Sequence, residues 1–181
     1  MPPIVNILGE RVALGPIGIE HADSVYRWWN DFAIARNLHS LPRPRTLADI
    51  HAMFDAGGFF NKPATAAFAI YETASWDAIG TAGLMDIEYE HGVAEFFIVI
   101  GETNRHGQGL GTETARLVLD HAFTALGLSN VMLRVSEFNH GAIRSYEKAG
   151  FKPFGQRTRC HFVDGRRWNT SYMEAVAPDR R

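Results

Sequence analysis

The chain has 181 residues, 46% hydrophobic, 12% aromatic and 21% charged, with a net charge of −2 and a pI near 6.4. That length fits one domain, able to bury about 70% of the surface its unfolded chain exposes, so no metal or disulfide staple is needed. The balanced charge excludes the basic field of a nucleic-acid binder, no apolar run approaches the ~20 residues of a spanning helix, and a lone cysteine, Cys160, excludes an intrachain disulfide and a cysteine-based zinc site.

Met1-Pro2-Pro3-Ile4 lacks a basic stretch followed by an apolar core, so no signal peptide is expected and the chain reads as cytoplasmic. Residues 1–10 read as a loose lead-in. Val12–Leu14 is a short strand that stops at Gly15-Pro16. His21–Trp29 suits a short helix, with Val25, Trp28 and Trp29 as its apolar positions, and Asn30-Asp31 offers a stop and a new cap for Phe32–Asn37. His39–Arg45 is a loop, because two prolines break both periods. Thr46 caps a helix over Leu47–Ala56, with Asp49 completing a variant of the capping box, and Gly57-Gly58 ends it. Ala66–Tyr71, Ala78–Glu88 and Ala94–Ile100 read as three strands of an antiparallel meander, with a turn at Trp76-Asp77.

The second half changes period. Ala115, Val118, Leu119, Ala122, Phe123 and Leu126 fall on one face of a helix that begins after Gly111 and ends at Gly127-Leu128. Val131–Val135 is a strand, Gly141–Ala149 a helix ended by Gly150, and Phe151–Phe154 opens another strand. Arg157–Val163 and Arg167–Val176 form a hairpin about Asp164-Gly165. No linker or repeat divides the chain, so residues 1–181 are expected to form one domain.

The turn His106-Gly-Gln-Gly-Leu-Gly-Thr112 joins the most apolar strand to the long helix. Glycines bring main-chain N–H groups close to a ligand, and the first N–H groups of the helix lack intrahelical partners, so the turn suits phosphate. No lysine follows it as a nucleoside-triphosphate loop requires. Gly107, Gly109 and Gly111 give G-x-G-x-G, not the dinucleotide spacing, and the strands before it are antiparallel.

Downstream lies Asn139-His-Gly-Ala-Ile-Arg-Ser-Tyr-Glu-Lys-Ala-Gly-Phe151. Together with the glycine turn it resembles the paired motifs of the Gcn5-related N-acetyltransferases (GNAT). Gly109 and Gly111 match the small positions of their acetyl-CoA loop, with His106 where Gln or Arg is usual. Asn139, Ala142, Tyr146 and Gly150-Phe151 match the second motif. The ending Phe162-x-Asp-Gly-Arg-x-Trp168 and Tyr172-Met173 looks like the branch acting on ribosomal-protein N-termini, spermidine and some antibiotics.

The resemblance implies an α+β (α/β) GNAT fold, a mixed, mostly antiparallel sheet of six to seven strands flanked by helices. Residues 1–93 would form the acceptor-binding half and residues 94–176 the acetyl-CoA half. It implies that acetyl-CoA is the cosubstrate, with no metal, and that its arm runs beside Ile98, Val99 and Ile100. The pyrophosphate would rest on the turn His106, Gly107, Gln108, Gly109, Leu110, Gly111 and Thr112. A protonated His106 would add a phosphate contact, and Asn139 would bond the arm. A main-chain N–H near Ile98 or Val99 would stabilise the tetrahedral oxyanion. Tyr146 would serve the leaving sulfur as a hydrogen-bond donor.

The general base is less defined. Where related enzymes carry a Glu, twelve residues before Tyr146, this chain has Arg134, which cannot act as a base. Glu95 ranks first among the nearby carboxylates, ahead of Asp86, Glu88 and Glu137, and an ordered water is the other option. The acceptor is a primary amine, either a peptide N-terminus or a small molecule such as an antibiotic, and the sequence does not choose. Spermidine is disfavoured because the loop near residues 36–46 carries Arg43 and Arg45 where a polycation would want carboxylates. The aromatic residues Trp28, Trp29, Phe32, Phe54, Phe59 and Phe60 are expected to serve mostly as core. No nucleic acid or membrane partner is expected, and a homodimer is. A rival reading is an acyl-CoA-binding sensor or interaction module of the same fold.

Overall fold

Strand alternation and helix periodicity build one sheet with helices on both faces. The computed structural model describes residues 3–38 and 43–178. Eight strands run in the order β1 (Ile7–Leu8), β2 (Val12–Pro16), β3 (Ala66–Glu72), β4 (Ala78–Glu88), β5 (Val93–Ile100), β6 (Asn130–Ser136), β8 (Arg166–Val176) and β7 (Lys152–Val163). The helices are α1 (Ala22–Asn30), α2 (Phe32–Ala35), α3 (Leu47–His51), α4 (Leu110–Thr124) and α5 (His140–Ala149). The mixed, mostly antiparallel GNAT-like sheet is present, with one strand beyond the expected range.

The extra strand is β1, inside the stretch read as a lead-in. It is only two residues long, and it pairs Ile7↔Leu14 and Leu8↔Ala13 with the next strand across a short turn, too brief a run to show strand alternation. Asp31 caps α2 by accepting from the Ala33 N–H, and α2 ends at Ala35, two residues short of expectation. The Thr46–Asp49 capping box forms, but α3 stops at His51. There the chain turns back, and the Phe60 N–H bonds the Met53 carbonyl at 2.9 Å, burying both side chains. The two strands expected at 151–154 and 157–163 are one strand, β7, which absorbs Gly155 and a positive φ of 51° at Arg159 as bulges. Residues 39–42 of the expected loop lie outside the described residues.

The core has two sides. Even-numbered residues of β5, Ala94 and Phe96, pack with Leu84, Leu133, Val118 and Phe151 under α4 and α5. Val99 points the other way and packs with Val25, Trp28, Ile34, Ile50, Met53 and Phe60 of the α1–α3 layer. Rings of Phe54, Phe59, Phe60 and Phe97 meet at centroid distances of 5.0–5.2 Å there, so most of the aromatic excess is core.

The sheet opens at its middle. β5 and β6 are the parallel pair, and they pair only over Val93↔Asn130, Ala94↔Val131 and Glu95↔Met132. Beyond Glu95, β5 continues beside β4 and β6 continues beside β8. A cleft forms between them.

Close packing at the top of β5 gives a stability prediction. A Cβ on Gly101 would lie 2.1 Å from the Trp28 ring, whose Nε1 donates to Glu102 at 2.9 Å. Gly101→Ala must displace a side chain that is 2% exposed. The expected loss is about 1–3 kcal/mol, read as a lower denaturant midpoint with an unchanged slope.

Candidate active site

The cleft between β5 and β6 widens into a cavity of about 410 Å³. One wall is Ile98, Val99 and Ile100, the floor is the glycine turn and the start of α4, and the far wall is Arg134, Val135, Asn139 and α5. Ile34, Asn37 and Leu38 reach it from the acceptor half.

The turn is fixed from outside. Gly109 takes φ +85° as the residue before α4, a conformation that costs a residue with a Cβ about 1–2 kcal/mol. Arg11 donates to the Gln108 carbonyl at 2.5 Å. Glu113 Oε1 accepts from the N–H groups of Glu10 and Arg11 at 2.6 and 2.9 Å, pinning the N-terminal strand region to α4. Thr112 Oγ1 and Ser145 Oγ lie 2.8 Å apart and join α4 to α5. The cradle is open: a Cβ on Gly107 would meet nothing within 4 Å, and one on Gly111 nothing nearer than Ser145 Oγ at 3.7 Å. Positive charge surrounds it. Arg105, Arg144 and Lys148 line the cavity; Arg105 is held by Glu72 at 2.8 Å, while Arg144 and Lys148 carry no ion pair among the described residues. Glycine backbone, the start of a fifteen-residue helix and these cations fit the phosphates of acetyl-CoA.

Ile98, Val99, Ile100, His106, Gly107, Gly109, Leu110, Gly111, Thr112, Asn139 and Tyr146 all line this cavity. Two residues named from the sequence do not. Gln108 turns away, its side-chain amide donating to the Asn104 carbonyl at 2.9 Å. Glu95 lies on the α1–α3 face of the sheet and accepts from Arg134 Nε at 2.7 Å. It also lines a second hollow of about 470 Å³ with Asp86, Glu88 and Glu174.

Two side chains have structural duties beyond those expected. His106 Nε2 donates to the Ile100 carbonyl at 2.8 Å, tying the turn to the end of β5. Asn139 Oδ1 accepts from the Ala142 N–H at 3.2 Å and caps α5, which leaves its amide NH₂ as the group for a ligand. Arg144, Ser145, Lys148 and Arg105 were not singled out in the sequence. The four-residue spacing of Arg144 and Lys148, beside Tyr146 on one short helix, is the signal that places them at one wall.

Tyr146 sits between Phe96 and Phe151, both at ring distances of 6.0 Å. Burial pushes its phenol up to about 12. Its hydroxyl has no protein hydrogen-bond partner among the described residues. Arg134 is held more firmly protonated than usual, chiefly by its bond to Glu95.

The description "Acetyltransferase (GNAT) domain" belongs to the family model that matches residues 11–152. The spermidine N(1)-acetyltransferase of Escherichia coli (strain K12) is 36% identical over 94 residues, 52% of this chain and 50% of that protein. That of Vibrio cholerae is 34% identical over 97 residues, 54% of this chain and 56% of that protein. The chain thus spans about half the length of these curated relatives. The alpha/beta-tubulin-N-acetyltransferase 9 of Homo sapiens is 26% identical over 157 residues, 81% of this chain and 74% of that protein. Among solved structures, spermidine N-acetyltransferase from Vibrio cholerae in complex with CoA and spermine superposes with a TM-score of 0.83. It is 23% identical, with 93% of this chain and 96% of that chain covered, and speaks for the fold alone.

Proposed function

The chain belongs to the GNAT acetyltransferase family, and from that premise we propose that it moves an acetyl group from acetyl-CoA to a primary amine within a ternary complex. The observation that carries this reading is the convergence of the free edge of β5, the open glycine cradle and Tyr146 on one cavity. Acetyl-CoA supplies the acetyl group as a thioester. Gly107, Gly109, Gly111, Thr112, Arg144 and Lys148 hold its phosphates, and of the two expected N–H donors it is that of Ile98, on the edge of β5 away from β4, that is offered to the developing oxyanion. The amine nitrogen forms the new C–N bond as the C–S bond breaks. Tyr146 hydrogen-bonds the departing sulfur. No acetyl-enzyme forms, since Cys160 lies outside the cavity and is engaged with Thr170 and the Arg157 carbonyl on the β7–β8 hairpin.

Water takes the ammonium proton in this scheme, with Glu95 committed to Arg134; a peptide N-terminus of pKa near 8 is already partly neutral at pH 7, and a more basic amine reacts through its smaller neutral fraction. The acceptor is a peptide N-terminus or a small-molecule amine, with the polyamines of the named relatives as one case. The homodimer is part of the same proposal, and a solution mass twice that of the chain is the result that would support it. Arg134 in the place of a base keeps a second reading alive, an acyl-CoA-binding sensor. Release of free CoA thiol, followed over a panel of peptides, amino acids, spermidine and aminoglycosides, decides between them. An enzyme turns over at least one amine. A sensor is stabilised by acetyl-CoA in a melt and turns over none.

A further inference from the structure

We infer that the acceptor is a primary amine that carries its own carboxylate, as an amino acid does, and that Arg134 is the residue that selects it. This rests on the transferase reading above and narrows its substrate class. Along β6, Leu133 and Val135 are buried in the core under α4 and α5. Strand alternation therefore sends Arg134 to the opposite face, the one covered in the acceptor half by α1–α3. The phosphate-facing cations Arg144 and Lys148 stand on α5, across the sheet from it. Arg134 thus enters the cavity from the acceptor's side.

Its geometry is prepared for a carboxylate. Nε is committed to Glu95 at 2.7 Å, and the Glu95 side chain is only 14% exposed, so the pair is anchored at the sheet. The Arg134 side chain is 38% exposed, and its two Nη groups have no hydrogen-bond partner among the described residues. A guanidinium fixed through Nε presents the planar Nη edge that binds a carboxylate by two bonds.

Arg134 itself faces Glu95 and Asp86, but the lining of the cavity opposes a polycation. Among the described residues lining the cavity none is Asp or Glu, while Arg105, Arg134, Arg144 and Lys148 all contribute. The sequence has no carboxylate from Phe32 to Ala48, and that stretch carries Arg36, Arg43 and Arg45. Arg36, Arg105 and Arg134 are each paired with one carboxylate, so a polyamine entering here meets uncompensated like charge at Arg144 and Lys148. An amine with a carboxylate on a neighbouring carbon brings the one group that the cavity lining lacks.

The test compares three forms of each acceptor in thiol-release kinetics: the amino acid, its amide and the decarboxylated amine, with spermidine alongside. The amino acid is expected to exceed the other forms in kcat/KM by at least about tenfold. Arg134→Gln should remove that preference through KM, with kcat and the acetyl-CoA Kd within about twofold of wild type. Arg134→Lys, which keeps charge but loses the fork, should recover little. Calorimetric binding of the amino acid to the CoA-loaded protein provides a readout that needs no turnover. Turnover that is equal for acid and amide, or best for spermidine, overturns the inference and leaves the transferase standing. So does an Arg134→Gln effect on acetyl-CoA affinity instead of acceptor KM. If no amine is turned over, the transferase reading fails, and absence of amino-acid binding then removes this inference too.

Discussion

Tyr146→Phe is expected to lower kcat by about 10²-fold while the Kd for acetyl-CoA stays within about twofold. The ring is wedged against Phe96 and Phe151, and phenylalanine keeps both contacts, so the fold and the cavity wall survive. Only the hydroxyl is lost. That hydroxyl bonds no protein group among the described residues, which leaves it for a ligand. With the phenol at about 12 and a free thiol near 8.5, complete proton transfer to the thiolate is uphill by about 5 kcal/mol. Tyr146 therefore keeps its proton and acts through a hydrogen bond to the departing sulfur, and the thiolate is protonated from solvent.

The pH dependence has a definite sign. Burial raises the folded pKa above the ordinary value of 10, so Tyr146 stays protonated through pH 10 and contributes no falling limb to kcat below it. Its link to stability is flat below pH 10. Between about 10 and 12 the unfolded chain releases the proton while the folded chain keeps it, and stability falls with rising pH. Tyr146→Phe should make that decline shallower. Unchanged kcat in the variant would remove Tyr146 from the chemistry and leave it as core.

The acetyl-CoA half was readable in the sequence because its signals are local. A glycine turn, a period of 3.6 and a glycine at a helix end need only neighbours along the chain, and Gly109 and Gly150 adopt the expected turn and helix-end roles. β1 has only two residues, too few to show a period of two, and the continuity of β7 is hidden by the shifts in register at Gly155 and Arg159, although both strands pair with their neighbours along the chain. Glu95 was ranked by its strand alone; the salt bridge to Arg134 spans 39 positions and could not be seen without the register of β5 against β6.

The arginine excess also becomes intelligible only in three dimensions. Fifteen Arg stand against three Lys, and among the described residues four arginines lie over aromatic rings: Arg36 over Phe138, Arg45 over Trp29, Arg166 over Trp168 and Arg167 over Phe162. Arg36 reaches Asp164 at 2.6 Å as well, linking the end of α2 to the tip of the β7–β8 hairpin. Planar, weakly hydrated guanidinium groups stack in a way that ammonium groups do not. Arg43 takes no part in these stacks and lies near the Asp49 carboxylate, whose charged form it favours.

Gly111→Val is expected to abolish useful acetyl-CoA binding without unfolding the protein. Gly111 is the second residue of α4 and needs no unusual φ, so a side chain is tolerated by the backbone. Valine even has a better helix propensity than glycine, by a few tenths of a kcal/mol. Its Cβ would stand 3.7 Å from Ser145 Oγ, 3.9 Å from Ile98 Cδ1 and 4.0 Å from Ile100 Cγ1, in ordinary contact and facing the cradle. The two methyl groups beyond it then occupy the space through which a phosphate would approach the first N–H groups of α4. A rise in Kd of about 100-fold, close to 3 kcal/mol, is expected by calorimetry, with Tm at or slightly above wild type. Gly109→Ala provides the contrast. There φ is +85° and the nearest atom to a new Cβ is Arg11 Nη1 at 3.8 Å, so strain and not occlusion dominates, and Tm falls. Tight binding of acetyl-CoA by a well-folded Gly111→Val would move the phosphates off this turn and end the assignment of the cradle. The paired variants separate the two jobs of the glycines: Gly109 shapes the turn, and Gly111 keeps it empty.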